Sequence, residues 1–211
     1  MSQLKGLSSK LFVLTIKNIF DKKGYVFFDE DKPYNVNIIG VRAENRVANK
    51  FDDCLLIVYR NNKGDFLVDS FEATTDPGWT YLKNASKVYG GRGTAILVPG
   101  QYIGAYKLDI HGGKNGYLAL CQRGASVSIY RDSNKDLLLD FDEKTLTSGY
   151  FGINIHRAKR TDETYSVAGY SAGCQVIRKY SDWKRFMSII DKSSNIYGNS
   201  FTYTLIKEED F

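Results

Sequence analysis

Residues 55–71, LLIVYRNNKGDFLVDSF, decide the fold class. Two apolar runs, at residues 55–59 and 66–71, are separated by the polar segment Asn61-Asn62-Lys63-Gly64, which is typical of a turn. Short runs rich in β-branched and aromatic residues predict strands. Further runs of this kind lie at residues 25–28, 36–41, 96–98, 102–108, 117–121, 126–131, 152–156, 174–177 and 201–206. The sequence therefore predicts a mainly β protein, built as an antiparallel sheet or a barrel.

A few helices are expected to flank the strands. Apolar residues recur at helical spacing within residues 1–24, and Gly24 supplies a helix end, so this segment is predicted to form a packing helix. A second helix is predicted at about residues 182–191, before the last strand. Residues 25–211 are then expected to form a single β-rich domain that carries the chemistry.

Composition excludes several classes of protein. With 43% hydrophobic residues and 3 prolines among 211 residues, the chain is expected to fold rather than remain disordered. A net charge of +5 does not predict a nucleic-acid partner. Cys54, Cys121 and Cys174 are too few for a disulfide scaffold and lack the spacing of a zinc site. The apolar run at residues 11–16 ends at Lys17, so it predicts neither a signal peptide nor a membrane span.

One group of residues has the pattern of a nucleophilic catalytic site. His156 is followed, after fourteen residues, by Ser171-Ala172-Gly173-Cys174. A thiol needs a neighbouring base to act as a nucleophile at neutral pH, and His156 is the candidate base for Cys174. The amides of Gly173 and Cys174 are candidate donors to the oxyanion of a tetrahedral intermediate, and Ser171 is expected to brace the loop. An inert buried thiol beside a structural histidine is the alternative.

This spacing resembles the signature of the L,D-transpeptidase (YkuD-type) catalytic domain, which has a histidine, a similar gap, and then Ser or Thr, His, Gly and Cys. The resemblance implies a YkuD-like β-sandwich or barrel and a cysteine acyl-transfer enzyme acting on peptidoglycan stem peptides. The family's second histidine is Ala172 here. His111 is the candidate to replace it, with a structural role for this histidine as the alternative.

The segment around the two motifs further resembles phage-encoded members of this family. Because the family's second histidine is Ala172, hydrolysis by an L,D-endopeptidase or carboxypeptidase is expected rather than transpeptidation. The likeness to phage members implies an enzyme that acts at the cell wall for lysis or as part of a phage virion, with other virion proteins as partners. The lack of a predicted signal peptide fits synthesis in the host cytoplasm. The alternative, favoured by Ala172, is a catalytically silent structural or wall-binding phage protein that keeps the fold.

Four residues near the motifs are candidate substrate contacts: Arg157, Gln175, Arg131 and Tyr170. Residues 156–185 contain seven basic and three acidic side chains. Such a local positive charge attracts a carboxylate-bearing peptide, and guanidinium groups match carboxylates in a bidentate manner.

A partial calcium loop lies at residues 132–143. Asp132, Asn134, Asp136 and Glu143 occupy positions 1, 3, 5 and 12, which carry oxygen ligands in such loops, but position 6 is a leucine instead of a glycine. The predicted chemistry requires no cofactor. A structural calcium ion is therefore one interpretation of this segment, and a solvent-exposed turn rich in Asx residues is the other.

Overall fold

The structure is a computed structural model that describes residues 9–85, 89–161 and 163–211. It is mainly β with flanking helices, as the sequence predicts. The strands are β1 Asn37–Arg42, β2 Asp53–Arg60, β3 Phe66–Thr74, β4 Thr94–Leu97, β5 Gly100–His111, β6 Tyr117–Gln122, β7 Val127–Asp132, β8 Thr147–Gly149, β9 Ile155–Arg157, β10 Gln175–Ile177 and β11 Phe201–Lys207. The helices are α1 Ser9–Lys23, α2 Trp79–Lys83 and α3 Tyr180–Tyr197. In the described residues no helix combines the length and the apolar character needed to cross a membrane.

Most strands close into a barrel in the order β1-β11-β5-β6-β9-β10-β3-β2. The hairpin β2–β3, which contains residues 55–71, supplies its longest antiparallel register, from Asp53↔Ala73 to Arg60↔Phe66. Two neighbouring pairs are parallel, β1 with β11 and β9 with β10. A separate sheet has the order β4-β7-β8. Both sheets contribute to one large hydrophobic core.

The two long helices cover different parts of the barrel. Helix α1 buries Ile16 and Phe20 in a cluster with residues of β1 and β2, and it ends at Gly24, where φ is +68°. Helix α3 buries Trp183 and Phe186 in the large core. Helix α3 follows β10 after a connection of only two residues.

The prediction of a strand at residues 25–28 is wrong. This segment is extended, but side-chain amides take the place of a partner strand. Gln101 accepts from the Val26 amide and donates to the Val26 carbonyl, both at 2.8 Å. Asn37 does the same for the amide and carbonyl of Phe28, at 2.8 and 2.9 Å. The backbone groups are satisfied, so the apolar run needs no neighbouring strand.

A charged cluster is buried where β1 and β2 approach the segment after β3. Asp53 and Asp76 lie beside the guanidinium of Arg42, whose Nε is 2.9 Å from Asp76 Oδ1. Burial, together with the charge of Asp76, raises the pKa of Asp53, and burial also raises the pKa of Asp76. The two carboxyl groups beside this one guanidinium therefore retain a proton at pH values above the usual pKa of an aspartic acid.

Candidate active site

The barrel topology brings both histidines of the chain together. Val176 of β10 pairs with His156 of β9, so Cys174 lies one residue before the strand that neighbours the histidine. His111 pairs with Tyr117 across the β5–β6 hairpin, and β6 neighbours β9. The rings of His111 and His156 are stacked, with centroids 4.1 Å apart and an interplanar angle of 18°.

Asn154 connects this histidine pair to the cysteine. Its Oδ1 accepts from the Gln122 amide at 2.9 Å, so its Nδ2 faces His111 Nδ1, at 3.0 Å. An amide nitrogen donates, which assigns the lone pair to His111 Nδ1 and the proton to His111 Nε2. The main-chain N–H of Asn154 donates to Cys174 Sγ at 3.4 Å.

His156 has the opposite tautomer. Its Nδ1 is 2.8 Å from the carbonyl oxygen of Arg157, which can only accept, so Nδ1 carries the proton and Nε2 carries the lone pair. The hydroxyl of Tyr117 donates to the same carbonyl at 3.2 Å. A base oriented by a hydrogen bond at its second nitrogen is the arrangement that nucleophilic catalysis requires.

Cys174 is partly exposed, whereas Cys54 and Cys121 are buried. Its thiol donates to the carbonyl of Gly152 at 3.4 Å. Within residues 9–85, 89–161 and 163–211, neither imidazole hydrogen-bonds with Cys174 Sγ, although the sequence predicts His156 as its base. The structure thus links the thiol to the histidine pair through Asn154, without a direct hydrogen bond between sulfur and imidazole.

The protonation states fit a neutral site. Burial raises the pKa of Cys174 to about 11, and the Asn154 amide opposes this rise. Burial, with a contribution from the positive charge that His111 would carry, lowers the pKa of His156 to about 3. Burial also lowers the pKa of His111. At neutral pH the cluster therefore holds a thiol and two uncharged imidazoles, not a thiolate-imidazolium pair.

The loop before Cys174 is tightly packed and internally hydrogen-bonded. Ser171 is buried and braces it by donating to the Cys174 carbonyl at 2.8 Å and by accepting from the Gly173 amide at 3.1 Å. Gly173 has φ of +120°, and a Cβ there would lie 2.6 Å from the carbonyl oxygen of Ala95. The Gly173 amide, a predicted oxyanion donor, is therefore directed at Ser171 and not at a substrate.

Gln122 holds the other side of the site. This buried side chain accepts with Oε1 from the amides of Phe151, Gly152 and Ile153, at 3.0, 2.9 and 3.2 Å. Its Nε2 donates to the carbonyl of Gly149 at 2.8 Å. These bonds fix residues 151–153, where the Gly152 carbonyl accepts the hydrogen bond from the Cys174 thiol.

The candidate substrate contacts lie in different environments. Gln175 is fully buried, where it accepts from the Tyr203 hydroxyl at 2.8 Å, so it has no surface for a substrate. Arg131 is also buried and donates to the Gly93 carbonyl at 3.2 Å. Tyr170 is partly exposed. Arg157 is partly exposed too, with its guanidinium 3.9 Å from the ring centre of Tyr117, next to the histidines.

The segment proposed as a calcium loop is a network of Asx turns. Asn134 accepts from the Asp136 amide at 3.1 Å and donates to the carboxylate of Asp140 at 2.7 Å. Asp132 is buried, and burial raises its pKa to about 6, while Glu143 is exposed. Among the described residues no group of three or more His, Cys, Asp or Glu side chains is arranged to hold a metal ion. Calcium binding stays a prediction.

Three residues of the site were missed by sequence reasoning: Asn154, Tyr117 and Gln122. Each lies in a predicted strand or at its end, where the sequence pattern indicates no further role. A signal existed for Asn154, because a polar side chain between Ile153 and Ile155 in an apolar run needs a buried hydrogen-bond partner.

Comparison of the chain with protein-family models, with curated proteins and with solved structures finds no match in any of the three.

Proposed function

We propose that this protein is a cysteine acyl-transfer enzyme of L,D-transpeptidase type that hydrolyses peptide bonds in peptidoglycan stem peptides. The observation that carries the proposal is the cluster of the partly exposed Cys174 with both histidines, in which Asn154 touches the sulfur and one ring. The resemblance in residue spacing supports the choice of substrate.

In the first step, Cys174 Sγ attacks the carbonyl carbon and its proton passes to His156 Nε2. A sulfur–carbon bond forms, and the carbonyl electron pair moves to oxygen. This nitrogen suits the role because the Arg157 carbonyl holds the other ring proton in place. When the intermediate collapses, the carbon–nitrogen bond breaks and the imidazolium returns the proton to the leaving amine. A thioester remains on Cys174.

In the second step, water attacks the thioester and gives a proton to His156. The carbon–sulfur bond breaks, the thiolate takes back the proton from the imidazolium, and the product leaves as a carboxylic acid that gives its remaining proton to solvent. Since the pKa of His156 is low, the imidazole is unprotonated before each step.

His111 is the proposed oxyanion donor in place of the histidine that Ala172 replaces. Asn154 donates to His111 Nδ1, which leaves the ring proton on Nε2, where it is available to a developing negative charge. Losing one such donor costs about 3 to 4 kcal/mol of transition-state stabilisation. His111 suits this role because of its tautomer, which Asn154 imposes.

Mass spectrometry of muropeptides tests the proposal. Purified peptidoglycan is incubated with the wild-type protein and with Cys174→Ala, and new peptide termini are expected only with the wild type. Incorporation of ¹⁸O from labelled water into the new carboxylate distinguishes hydrolysis from transfer to another amine. Identical digests would instead favour a catalytically silent wall-binding protein. The raised pKa of Cys174 and the presence of Ala172 are the two features that support this alternative.

A further inference from the structure

A groove lies beside the histidine cluster, between the β5–β6 hairpin and the first turns of α3. Its volume is about 430 Å3, and its lining includes Tyr117, Leu118, Arg157, Arg160, Tyr180 and Trp183. No aspartate or glutamate is among the lining residues that the structure describes. The groove is therefore aromatic and positively charged.

Two aromatic rings orient the guanidinium of Arg157 in this groove. Its guanidinium stacks 3.9 Å from the ring centre of Tyr117 and 5.7 Å from that of Tyr180. The guanidinium donates one long hydrogen bond, 3.4 Å from Nη1 to the carbonyl of Ala158. Stacking between two rings restricts the side chain without using the remaining N–H groups.

The absence of an acidic partner distinguishes Arg157 from most arginines of the chain. In the part of the chain that the structure describes, Arg157 forms no ion pair, whereas six other arginines do: Arg42, Arg46, Arg60, Arg123, Arg178 and Arg185. A planar guanidinium that is oriented, partly exposed and without a carboxylate matches a carboxylate from a ligand in bidentate geometry.

The same residue also touches the proposed base. The Arg157 carbonyl accepts from His156 Nδ1, and the ring of Tyr117, which stacks on the guanidinium, carries the hydroxyl that donates to this carbonyl. A ligand carboxylate on Arg157 would therefore lie close to the reacting groups.

We propose that this groove binds an acidic peptide through a free carboxylate held by Arg157, and that it discriminates against peptides in which this carboxylate is amidated. The exposed apolar side chains of Leu118 and Ile110, which pair across the hairpin, extend the groove and bind the peptide's aliphatic groups. The inference rests on the proposed function, because it identifies the groove as the substrate site of that reaction.

The test measures binding without turnover. The Cys174→Ala protein is titrated into a fluorescein-labelled synthetic tetrapeptide, Ala-γ-D-Glu-Lys-D-Ala, and into the same peptide with both carboxylates as carboxamides. Fluorescence anisotropy is expected to give a dissociation constant about 10- to 100-fold lower for the acid form, the range of a charge-assisted hydrogen-bonded pair. Arg157→Gln in the same background is expected to remove this preference.

Two controls make the result specific. Arg46→Gln changes the net charge by the same amount at an exposed position that binds Asp140, and it is expected to change the affinity less than about twofold. Arg157→Lys keeps the charge but loses the fork, so most of the preference should be lost there as well. Circular dichroism verifies that each variant is folded.

Equal affinity for the acid and carboxamide forms would overturn the proposal, and so would no binding of either form up to millimolar peptide. An equal effect of Arg46→Gln and Arg157→Gln would overturn it too. Failure of catalysis is separate: a preference that depends on Arg157, together with unchanged muropeptides, supports the groove and rejects the hydrolase. Cleavage that is insensitive to Arg157→Gln supports the hydrolase and rejects the groove.

Discussion

The rate at which Cys174 reacts with iodoacetamide should show that its proton is lost only during catalysis. The pKa of this thiol is raised to about 11, so about 1 molecule in 3,000 is thiolate at pH 7.5, against about 1 in 11 for an ordinary thiol of pKa 8.5. The thiolate of a weaker acid is about tenfold more nucleophilic, which recovers part of this difference of about 300-fold. Alkylation is therefore expected to be at least about 20-fold slower than that of free cysteine.

The perturbations are pH and the substitution His156→Gln. From pH 7 to 10 the alkylation rate should rise about tenfold per pH unit, because the thiolate fraction does so below the pKa. His156→Gln should leave this rate within about twofold, since the imidazole is uncharged and does not hydrogen-bond with the sulfur. The same substitution should lower turnover of peptidoglycan by at least about 100-fold, as expected for a lost general base.

Mass spectrometry of intact protein measures the rate in a variant that keeps only one thiol, Cys54→Ser with Cys121→Ala. Both replaced thiols are buried, and urea denaturation shows whether the variant is stable enough to use. A plateau of the alkylation rate below pH 8 would refute the reasoning. It would mean that a thiolate-imidazolium pair already exists in the free protein. A strong loss of alkylation in His156→Gln at pH 7.5 would refute it as well.

Three further predictions concern stability, and urea denaturation measures each. In the unfolded chain the carboxyls of Asp53 and Asp76 ionise near pH 4, whereas the folded pair keeps a proton at higher pH. The free energy of unfolding should therefore fall as pH rises, by up to about 1.4 kcal/mol per pH unit. Asp76→Asn should flatten this fall between pH 5 and 8, and an unchanged slope would contradict the shared proton. Gly173→Ala should cost about 3 kcal/mol or more, because φ is +120° and the new Cβ meets a carbonyl oxygen, while Gly64→Ala, with φ of +84° in open space, should cost about 1 kcal/mol. Equal costs would show that the loop before Cys174 relaxes freely. Gln122→Ala should cost about 3 kcal/mol or more, since it leaves three main-chain amides without their acceptor, and a loss below 1 kcal/mol would mean that water replaces the side chain.

Local patterns predicted most strands well, because their information lies within a few residues. The run at residues 55–59, the turn at Gly64 and the run at 66–71 together indicate β2 and β3, whose register depends only on this hairpin. The segment at residues 25–28 has the same apolar pattern but not the same structure. Its partners are Gln101 and Asn37, and nothing within the segment itself indicates them.

Long-range pairing explains what the sequence could not predict. Nothing in β1 or β11 alone indicates that the two strands are parallel neighbours, since their residues are far apart in the chain. The candidate site shows the same limit. The spacing from His156 to Cys174 marked the two residues, but the stacking of His111 on His156 and the bridging role of Asn154 depend on how β5, β6 and β9 meet.

Closure of the barrel by β11 has a consequence for synthesis of the chain. While β11 is still inside the ribosome, a nascent chain exposes two unpaired strand edges, those of β1 and β5. Open edges of this kind pair with other chains, so ribosome-bound intermediates need protection by a chaperone or a low local concentration. We expect a chain that stops before Phe201 to aggregate on expression, even though it contains Cys174 and both histidines.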